Sequence, residues 1–328
     1  MKNVLVTGAT GYIGSYVCDV LLEAGYCVIA VDNFTNSKPE ALNGKDVKLY
    51  YADIADRKAM RRIFNENSID AVVHLAAYKV APESVTEPLK YYRNNVAGTV
   101  ALLEIMQECG VNKLIFGSSA AVYGNSGPGA VSEEYRGIPL NPYGRSKQMI
   151  EDILHDLYVS DNNWNIIILR YFNPVGGKKF VDKAGSLLDH IVAVAAGKKE
   201  KLTIYGADYP TYDGTCVRDY VHVTDLAEIH VLALEKPVYT PGIKIYNVGS
   251  GKGCSVFDLV KTFQETVGIN VPYVIAGRRP GDIAESYADI RKAASELGFK
   301  PKRSLEEACR DAWVWHKRRE AMCGPRTK

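Results

Sequence analysis

Val4-Leu5-Val6-Thr7-Gly8-Ala9-Thr10-Gly11-Tyr12-Ile13-Gly14 is the stretch that decides the fold. Apolar and β-branched residues make a strand, and the glycines after it make a turn. Val17, Val20, Leu21 and Ala24 then recur at helical spacing until Gly25 stops them. Strand, glycine-rich turn and helix in that order form a phosphate cradle. Gly8 and Gly11 let the backbone turn tightly and approach a pyrophosphate, and Gly14 lets the helix lie close on the strand. The helix then turns free N–H groups and the positive end of its dipole toward the phosphates. The spacing is GxxGxxG rather than GxGxxG, so the flanking strand and helix carry the specificity.

The next strand points to a dinucleotide. It ends at Asp32, eighteen residues beyond Gly14. A carboxylate there accepts hydrogen bonds from the adenosine ribose and repels a 2′-phosphate. Asn33 follows instead of an arginine, and Lys38 is too distant in sequence to reverse the preference. NAD is expected rather than NADP.

Outward from this unit, short β-branched runs alternate with helical patterns. Strands are expected at Val4–Thr7, Cys27–Val31, Val47–Tyr51, Ala71–Leu75, Leu114–Gly117 and Ile166–Leu169, and helices at Gly14–Ala24, Lys58–Asn65 and Val96–Glu108. The alternation predicts βαβ units with right-handed crossovers. The fold class is α/β: a doubly wound parallel sheet of Rossmann type. After Asn173-Pro174 the rhythm breaks, and Gly176-Gly177-Lys178-Lys179 reads as a linker. We expect an NAD-binding domain over residues 1–174 and a smaller mixed α/β substrate domain over 175–328. Ile243–Val248 reads as a strand returning to the first sheet, so the boundary is not clean.

The chain has 328 residues, 47% of them apolar, and a net charge of +2 with both signs mixed along it. Mixed charge argues against a nucleic-acid or membrane footprint, and the late cluster Lys317-Arg318-Arg319 reads as a solvated helix end. No apolar run is long enough to span a bilayer, and because the chain enters a strand almost at once no signal peptide is expected. The seven cysteines include no CxxC pair, and no Cys/His group has metal-ligand spacing. No metal is expected, and reduced thiols point to the cytoplasm.

Tyr143-Gly144-Arg145-Ser146-Lys147 opens a helix behind Pro142. Tyr143 and Lys147 are four residues apart and share one helix face. Upstream, the strand Leu114–Gly117 runs into Ser118-Ser119. Strand C-terminal ends face the cofactor crevice of a parallel sheet, so Ser119 and Tyr143 can meet beside a nicotinamide. Oxidising an alcohol needs a base for its O–H proton, and a free tyrosine titrates too high for neutral pH. An ammonium about 6 Å away, at an effective dielectric near 20, favours phenolate by roughly 3 kcal/mol, or about two pKa units. Ser119 would orient the same substrate oxygen.

Further segments then fall into a recognisable order. They are Val31-Asp32-Asn33, His74-Leu75-Ala76-Ala77, Ser118-Ser119-Ala120-Ala121-Val122-Tyr123-Gly124, Asn141-Pro142-Tyr143-Gly144, Arg170-Tyr171-Phe172-Asn173-Pro174 and Val217-Arg218-Asp219-Tyr220-Val221-His222-Val223. Over almost its whole length the chain resembles the extended short-chain dehydrogenase/reductases, and among them the UDP-glucose (UDP-galactose) 4-epimerases. The resemblance implies that UDP-glucose and UDP-galactose interconvert through a transient 4-keto sugar with NAD bound throughout. It implies that Asp53 and Ile54 contact the adenine, that Lys79 and Asn94 hold the phosphate and ribose region, and that Tyr171 sits near the nicotinamide. Tyr12, Ile13, Asn33, Asn36, Ser37, Leu75, Ala76 and Ala77 would complete the cofactor wall. Asn173, Tyr205, Arg218, Arg279 and Asp282 would hold the UDP part, where guanidinium groups suit a diphosphate. A homodimer is implied, through helices near Val96–Glu108 and Tyr143–Tyr158.

Two departures from the family pattern stand out. The stretch Gly176–Ser186 is shorter than usual, and Gly185-Ser186-Leu187 replaces an Asn-Asn-Leu that clamps the nucleotide. The family's sugar-pocket gatekeeper falls on Ser286, a small residue, which predicts that UDP-GlcNAc is accepted beside UDP-glucose; a one-residue slip would put Tyr287 there instead. Among rival enzymes, a 4,6-dehydratase needs a further acid and base just after Ser119, where this chain has Ala120 and Ala121. A UDP-glucuronate epimerase or decarboxylase is weakened by the same alanines. A non-catalytic dinucleotide sensor would have no need to keep Ser119, Tyr143 and Lys147.

Overall fold

The computed structural model describes residues 2–177, 185–235, 240–279 and 281–323. Its strands are β1 (Asn3–Thr7), β2 (Cys27–Asp32), β3 (Val47–Tyr51), β4 (Ala71–His74), β5 (Lys113–Ser119), β6 (Ala130–Val131), β7 (Asn165–Tyr171) and β8 (Asn173–Val175). After these come β9 (Leu202–Tyr205), β10 (Val217–Arg218), β11 (Tyr220–His222), β12 (Gly242–Val248), β13 (Cys254–Ser255), β14 (Tyr273–Ala276) and β15 (Glu285–Ala288). The helices are α1 (Tyr12–Glu23), α2 (Arg57–Asn67), α3 (Ala81–Thr86), α4 (Pro88–Tyr91), α5 (Gly98–Glu108), α6 (Pro142–Ser160), α7 (Leu187–Ala195), α8 (Val223–Glu235), α9 (Val256–Val267), α10 (Arg291–Leu297) and α11 (Leu305–Cys323).

Seven strands pair in parallel in the order β12-β7-β5-β4-β1-β2-β3. The chain winds one way through β1, β2 and β3, then returns to build outward from β4. The winding reverses between β1 and β4, and ligands bind at such switch points, beyond the strand C-termini. Alternate residues of each strand enter opposite cores. Val4 and Val6 pack with Val17, Leu21, Leu226 and Ile229 of α1 and α8. Leu5 packs with Met60, Ile63, Leu102, Met106 and Leu154 of α2, α5 and α6. Both faces are covered, which is why β7 is buried at every position.

The later part of the chain has its own core, with Val175, Leu188, Ile191, Ile204, Leu259 and Phe263. Around it lie a four-stranded sheet, β13-β10-β15-β6, and the pairs β11-β8 and β14-β9. Two local features differ from the sequence reading. The helix expected from Val96 is preceded by a π turn over Tyr92–Ala97 before α5 begins. Gly176-Gly177, expected as a linker, is a close backbone crossing. A Cβ on Gly176 would lie 2.9 Å from the His222 ring, and one on Gly177 would lie 2.3 Å from the Tyr16 hydroxyl. Lys178 and Lys179 lie outside the described residues.

Candidate active site

At the switch point lies a cleft of about 750 Å³. One wall is the glycine turn. Gly11 N–H donates to the Gly8 carbonyl at 3.1 Å, and Gly11 caps α1 without a side-chain bond to its N–H groups. Gly8 has φ of 67°, and a Cβ there would sit 2.8 Å from the Ala76 nitrogen. A Cβ on Gly14 would sit 2.1 Å from the Gly8 carbonyl oxygen. Only glycine lets strand, turn and helix approach this closely.

Gly8, Gly11, Tyr12, Ile13, Gly14, Asp32, Asn33, Asn36, Ser37, Ile54, Leu75, Ala76, Ala77, Lys79, Asn94, Tyr143, Lys147 and Tyr171 all line the cleft. Asp53 and Ser119 do not: the cleft is lined by Ser118 instead of Ser119, and Asp53 is exposed and accepts from Asn33 Nδ2 at 2.8 Å. Asp32 accepts from Thr10 N–H (3.0 Å), Phe34 N–H (2.9 Å) and the Ser37 hydroxyl (2.9 Å). Its carboxylate therefore ties the glycine turn to the loop after β2. Phe34, held in the left-handed region at φ 54° and stacked on Tyr51, also lines the cleft and was missed from the sequence. Lys79 is exposed at the cleft, yet crowding by the surrounding protein strips water from its ammonium and pulls it below the usual range, partly offset by Asp189.

The candidate catalytic residues come from β5 and α6. Asn141 caps α6 by accepting from Gly144 N–H at 2.9 Å, and Pro142 fills the first turn. This starts the helix so that Tyr143 and Lys147 enter the cleft. Ser119, at the end of β5, hydrogen-bonds the Tyr143 phenol and stands opposite Tyr171 in the β5–β7 register. Burial raises Tyr143 above its ordinary value, and the Ser119 bond opposes that. Lys147 is pushed down to about 7 by burial, with Glu151 opposing. Its ammonium donates to the Gly117 carbonyl at 2.7 Å. The sequence reading had Lys147 drawing Tyr143 down by direct attraction; desolvation of both groups is the larger influence here.

Several buried polar residues behind this site were not foreseen. The Thr99 hydroxyl donates to the Asn95 carbonyl, so its oxygen accepts from His74 Nε2 (2.8 Å), and His74 Nδ1 accepts from Thr7 (2.7 Å). Thr7 Oγ in turn accepts from the N–H groups of Leu75 and Ala76. Asn95 accepts from Tyr78 N–H at 2.9 Å and donates to Ser146 Oγ at 3.0 Å, and Ser146 donates to the Tyr143 carbonyl at 2.7 Å. This belt joins the glycine turn, the 75–79 wall and α6. Further back, Glu151 pairs with Arg170 at 2.6 Å and accepts from Ser118. The signal was available: Glu151 follows Lys147 by four on the same helix face.

None of the residues expected to hold UDP lines this cleft. Arg279 pairs with Asp282 at 2.9 Å and lies 4.8 Å over the Tyr205 ring. Arg218 and Ser286 are paired neighbours on β10 and β15. Asn173 follows Tyr171 by two residues in β8 and is exposed. The Tyr287 ring faces Gly253, so it lies on the opposite face of β15 from Ser286. Ser186 caps α7 in a capping box with Asp189.

Residues 4–249 match the NAD dependent epimerase/dehydratase family. A UDP-glucose 4-epimerase of Bacillus subtilis (strain 168) is 49% identical over 325 residues, 95% of this chain and 96% of that protein. The crystal structure of a Stenotrophomonas maltophila UDP-glucose-4-epimerase with bound NAD and formylated UDP-arabinopyranose superposes with a TM-score of 0.94 at 41% identity, covering 99% of this chain and 100% of that one. A Bifidobacterium longum UDP-glucose 4-epimerase in complex with NAD+ and UDP gives a TM-score of 0.92 at 42% identity, over 97% and 98% of the two chains.

Proposed function

The chain belongs to the NAD dependent epimerase/dehydratase family, and we infer that it is a UDP-hexose 4-epimerase. It is an isomerase that binds NAD and interconverts UDP-glucose and UDP-galactose through a transient 4-keto sugar. The observation that carries this reading is that Tyr143 and Lys147 line the same cleft as the glycine turn, with Ser119 hydrogen-bonded to the Tyr143 phenol. The cleft fits NAD: two glycines leave no room for a Cβ, the N-terminus of α1 has no side-chain cap, and Asp32 closes the β2 end.

Bound NAD supplies a nicotinamide that takes the sugar C4 hydrogen with its electron pair and returns it, and whose positive charge favours a nearby phenolate. Gly8, Gly11 and Gly14 would hold the pyrophosphate, Asp32 the adenosine ribose, and Lys79 and Asn94 the far phosphate and ribose. Tyr143 accepts the O4 proton as C4 is oxidised and gives it back as C4 is reduced. Ser119 holds the same oxygen in line. Lys147, charged when protonated, stabilises the phenolate. Arg218, Arg279, Asp282, Tyr205 and Asn173 would keep UDP anchored while the sugar turns between its two faces. Ala120 and Ala121 carry no proton, which disfavours a dehydratase.

We also propose that Ser286 leaves space for a 2-N-acetyl group, so that UDP-GlcNAc is a substrate. Residues 1–174 with β12 would form the NAD domain and 175–328 the nucleotide-sugar domain. A homodimer through the helices near Val96–Glu108 and Tyr143–Tyr158 is supported by the apolar surface at Val85, Leu89, Met149 and Val159, which are 40% to 76% exposed. Among the described residues no helix is long and apolar enough to cross a membrane, and we propose a cytoplasmic enzyme.

The direct test is conversion of UDP-galactose to UDP-glucose, compared with Tyr143→Phe. Removing a general base slows turnover by about 10²- to 10⁴-fold, while calorimetry should find UDP and NAD affinities little changed. A Phe variant as active as the wild type contradicts the assignment of Tyr143.

A further inference from the structure

Behind Tyr171 the fold buries a second polar side chain, for which the reaction as described has no use. His230 of α8 is fully buried. Its Nδ1 faces the carbonyls of Leu226 at 3.1 Å and Ala227 at 3.3 Å, and carbonyls only accept. The ring proton therefore sits on Nδ1, and Nε2 offers a lone pair. Tyr171 Oη lies 2.7 Å from Nε2, so the phenol donates to the imidazole. Burial keeps the imidazole neutral, down to about 4, and the two carbonyl bonds only partly oppose this.

Tyr171 itself lines the catalytic end of the cleft with Gly117, Tyr143 and Lys147. Its phenol has room because residue 117 has no side chain. A Cβ there would lie 2.9 Å from both Tyr171 Oη and Tyr171 Cε2. The backbone of Tyr171 is fixed between Ser119 and Val248 in the sheet, and its hydroxyl is fixed by His230. A histidine that only filled the gap between α8 and the sheet would need neither a set tautomer nor an acceptor aimed at this phenol.

We propose that His230 is a positioning residue: by accepting the Tyr171 hydrogen bond it locks the Tyr171 ring as the floor on which the nicotinamide end of NAD rests. This builds on the reading of the cleft as the NAD site. Losing a buried acceptor leaves the phenol unsatisfied and free to turn, a cost that corresponds to about a tenfold change in an equilibrium constant.

The test uses His230→Leu, His230→Gln, Tyr171→Phe and the His230→Leu/Tyr171→Phe double variant, each compared with the wild-type holoenzyme. The measurements are NAD affinity, the emission spectrum of bound NADH, kcat and KM for UDP-galactose, and the urea midpoint. His230→Leu should weaken NAD binding and lower kcat by about tenfold each, shift the NADH emission, and leave KM within about twofold. His230→Gln, which keeps an acceptor near the Nε2 position, should recover most of the loss. Tyr171→Phe removes only the hydroxyl and should give the same loss, even where the Leu variant folds poorly. In the Tyr171→Phe background, His230→Leu should add less than about twofold, because both changes remove one interaction. The proposal is overturned if His230→Leu lowers only the urea midpoint, with wild-type NAD affinity and emission, or if its effect is undiminished in the Tyr171→Phe background. A wild-type protein that neither binds NAD nor epimerises would overturn the function itself, and the proposal with it.

Discussion

At Tyr143 two influences act against each other: burial raises the phenol, and the Ser119 hydrogen bond lowers it. Lys147 could be paired with Tyr143 from the i, i+4 spacing alone, because two positions on one helix face need no tertiary information. That its ammonium donates to the Gly117 carbonyl could not be read, since residue 117 comes from a strand thirty residues earlier. Ser286 is a similar case. The residues alone leave two registers open, with Ser286 or Tyr287 at the gatekeeper position. The pleat of β15 puts the two side chains on opposite faces, with the Tyr287 ring against Gly253, and we propose that Ser286 is the one facing the sugar. Ser286→Tyr is expected to lower kcat/KM for UDP-GlcNAc by about tenfold or more while UDP-glucose stays within a few-fold. Competing-substrate assays check this; equal losses on both sugars would contradict it.

Among the elements, the βα units of the first half were readable because each strand is a short apolar run and each helix repeats near 3.6 residues. The π turn over Tyr92–Ala97 was not readable, because its reason lies elsewhere in the fold. It brings Asn94 to the cleft and its neighbour Asn95 to the Tyr78 backbone and Ser146. Such turns recur at functional sites. The glycine turn is the opposite case, since steric need is written directly in the residue type. Gly14→Ala places a methyl group 2.1 Å from a backbone oxygen that cannot move without shifting β1. It should destabilise the fold by at least the roughly 1–3 kcal/mol of an overpacked core and abolish NAD binding. Urea denaturation and NAD titration would measure these, and unchanged values in both would contradict the packing described for this turn.

For the whole molecule, the buried neutral histidines set an acid limit. His74 is held down to about 3 and His230 to about 4, in both cases chiefly by burial. Unfolded, each titrates near 6.5. Between those values the unfolded chain binds more protons, so stability falls as pH drops from 6.5 toward 4, by about 1.4 kcal/mol per pH unit for each histidine. Lys147, down to about 7 in the fold against 10.5 free, adds stability as pH rises through that interval. Thermal melts across pH 4 to 9 should show both slopes, and His74→Gln should remove one histidine's share of the acid slope. A flat profile below pH 6.5 would contradict the buried neutral state.

The proposed reaction needs one cleft in which the same C4 hydrogen leaves and returns while Tyr143 moves the O4 proton. Its most direct test is UDP-galactose carrying deuterium at C4 of the sugar, incubated with the protein and NAD in ordinary water. UDP-glucose is expected with the deuterium retained at C4. Product with hydrogen from solvent at that carbon would contradict the account.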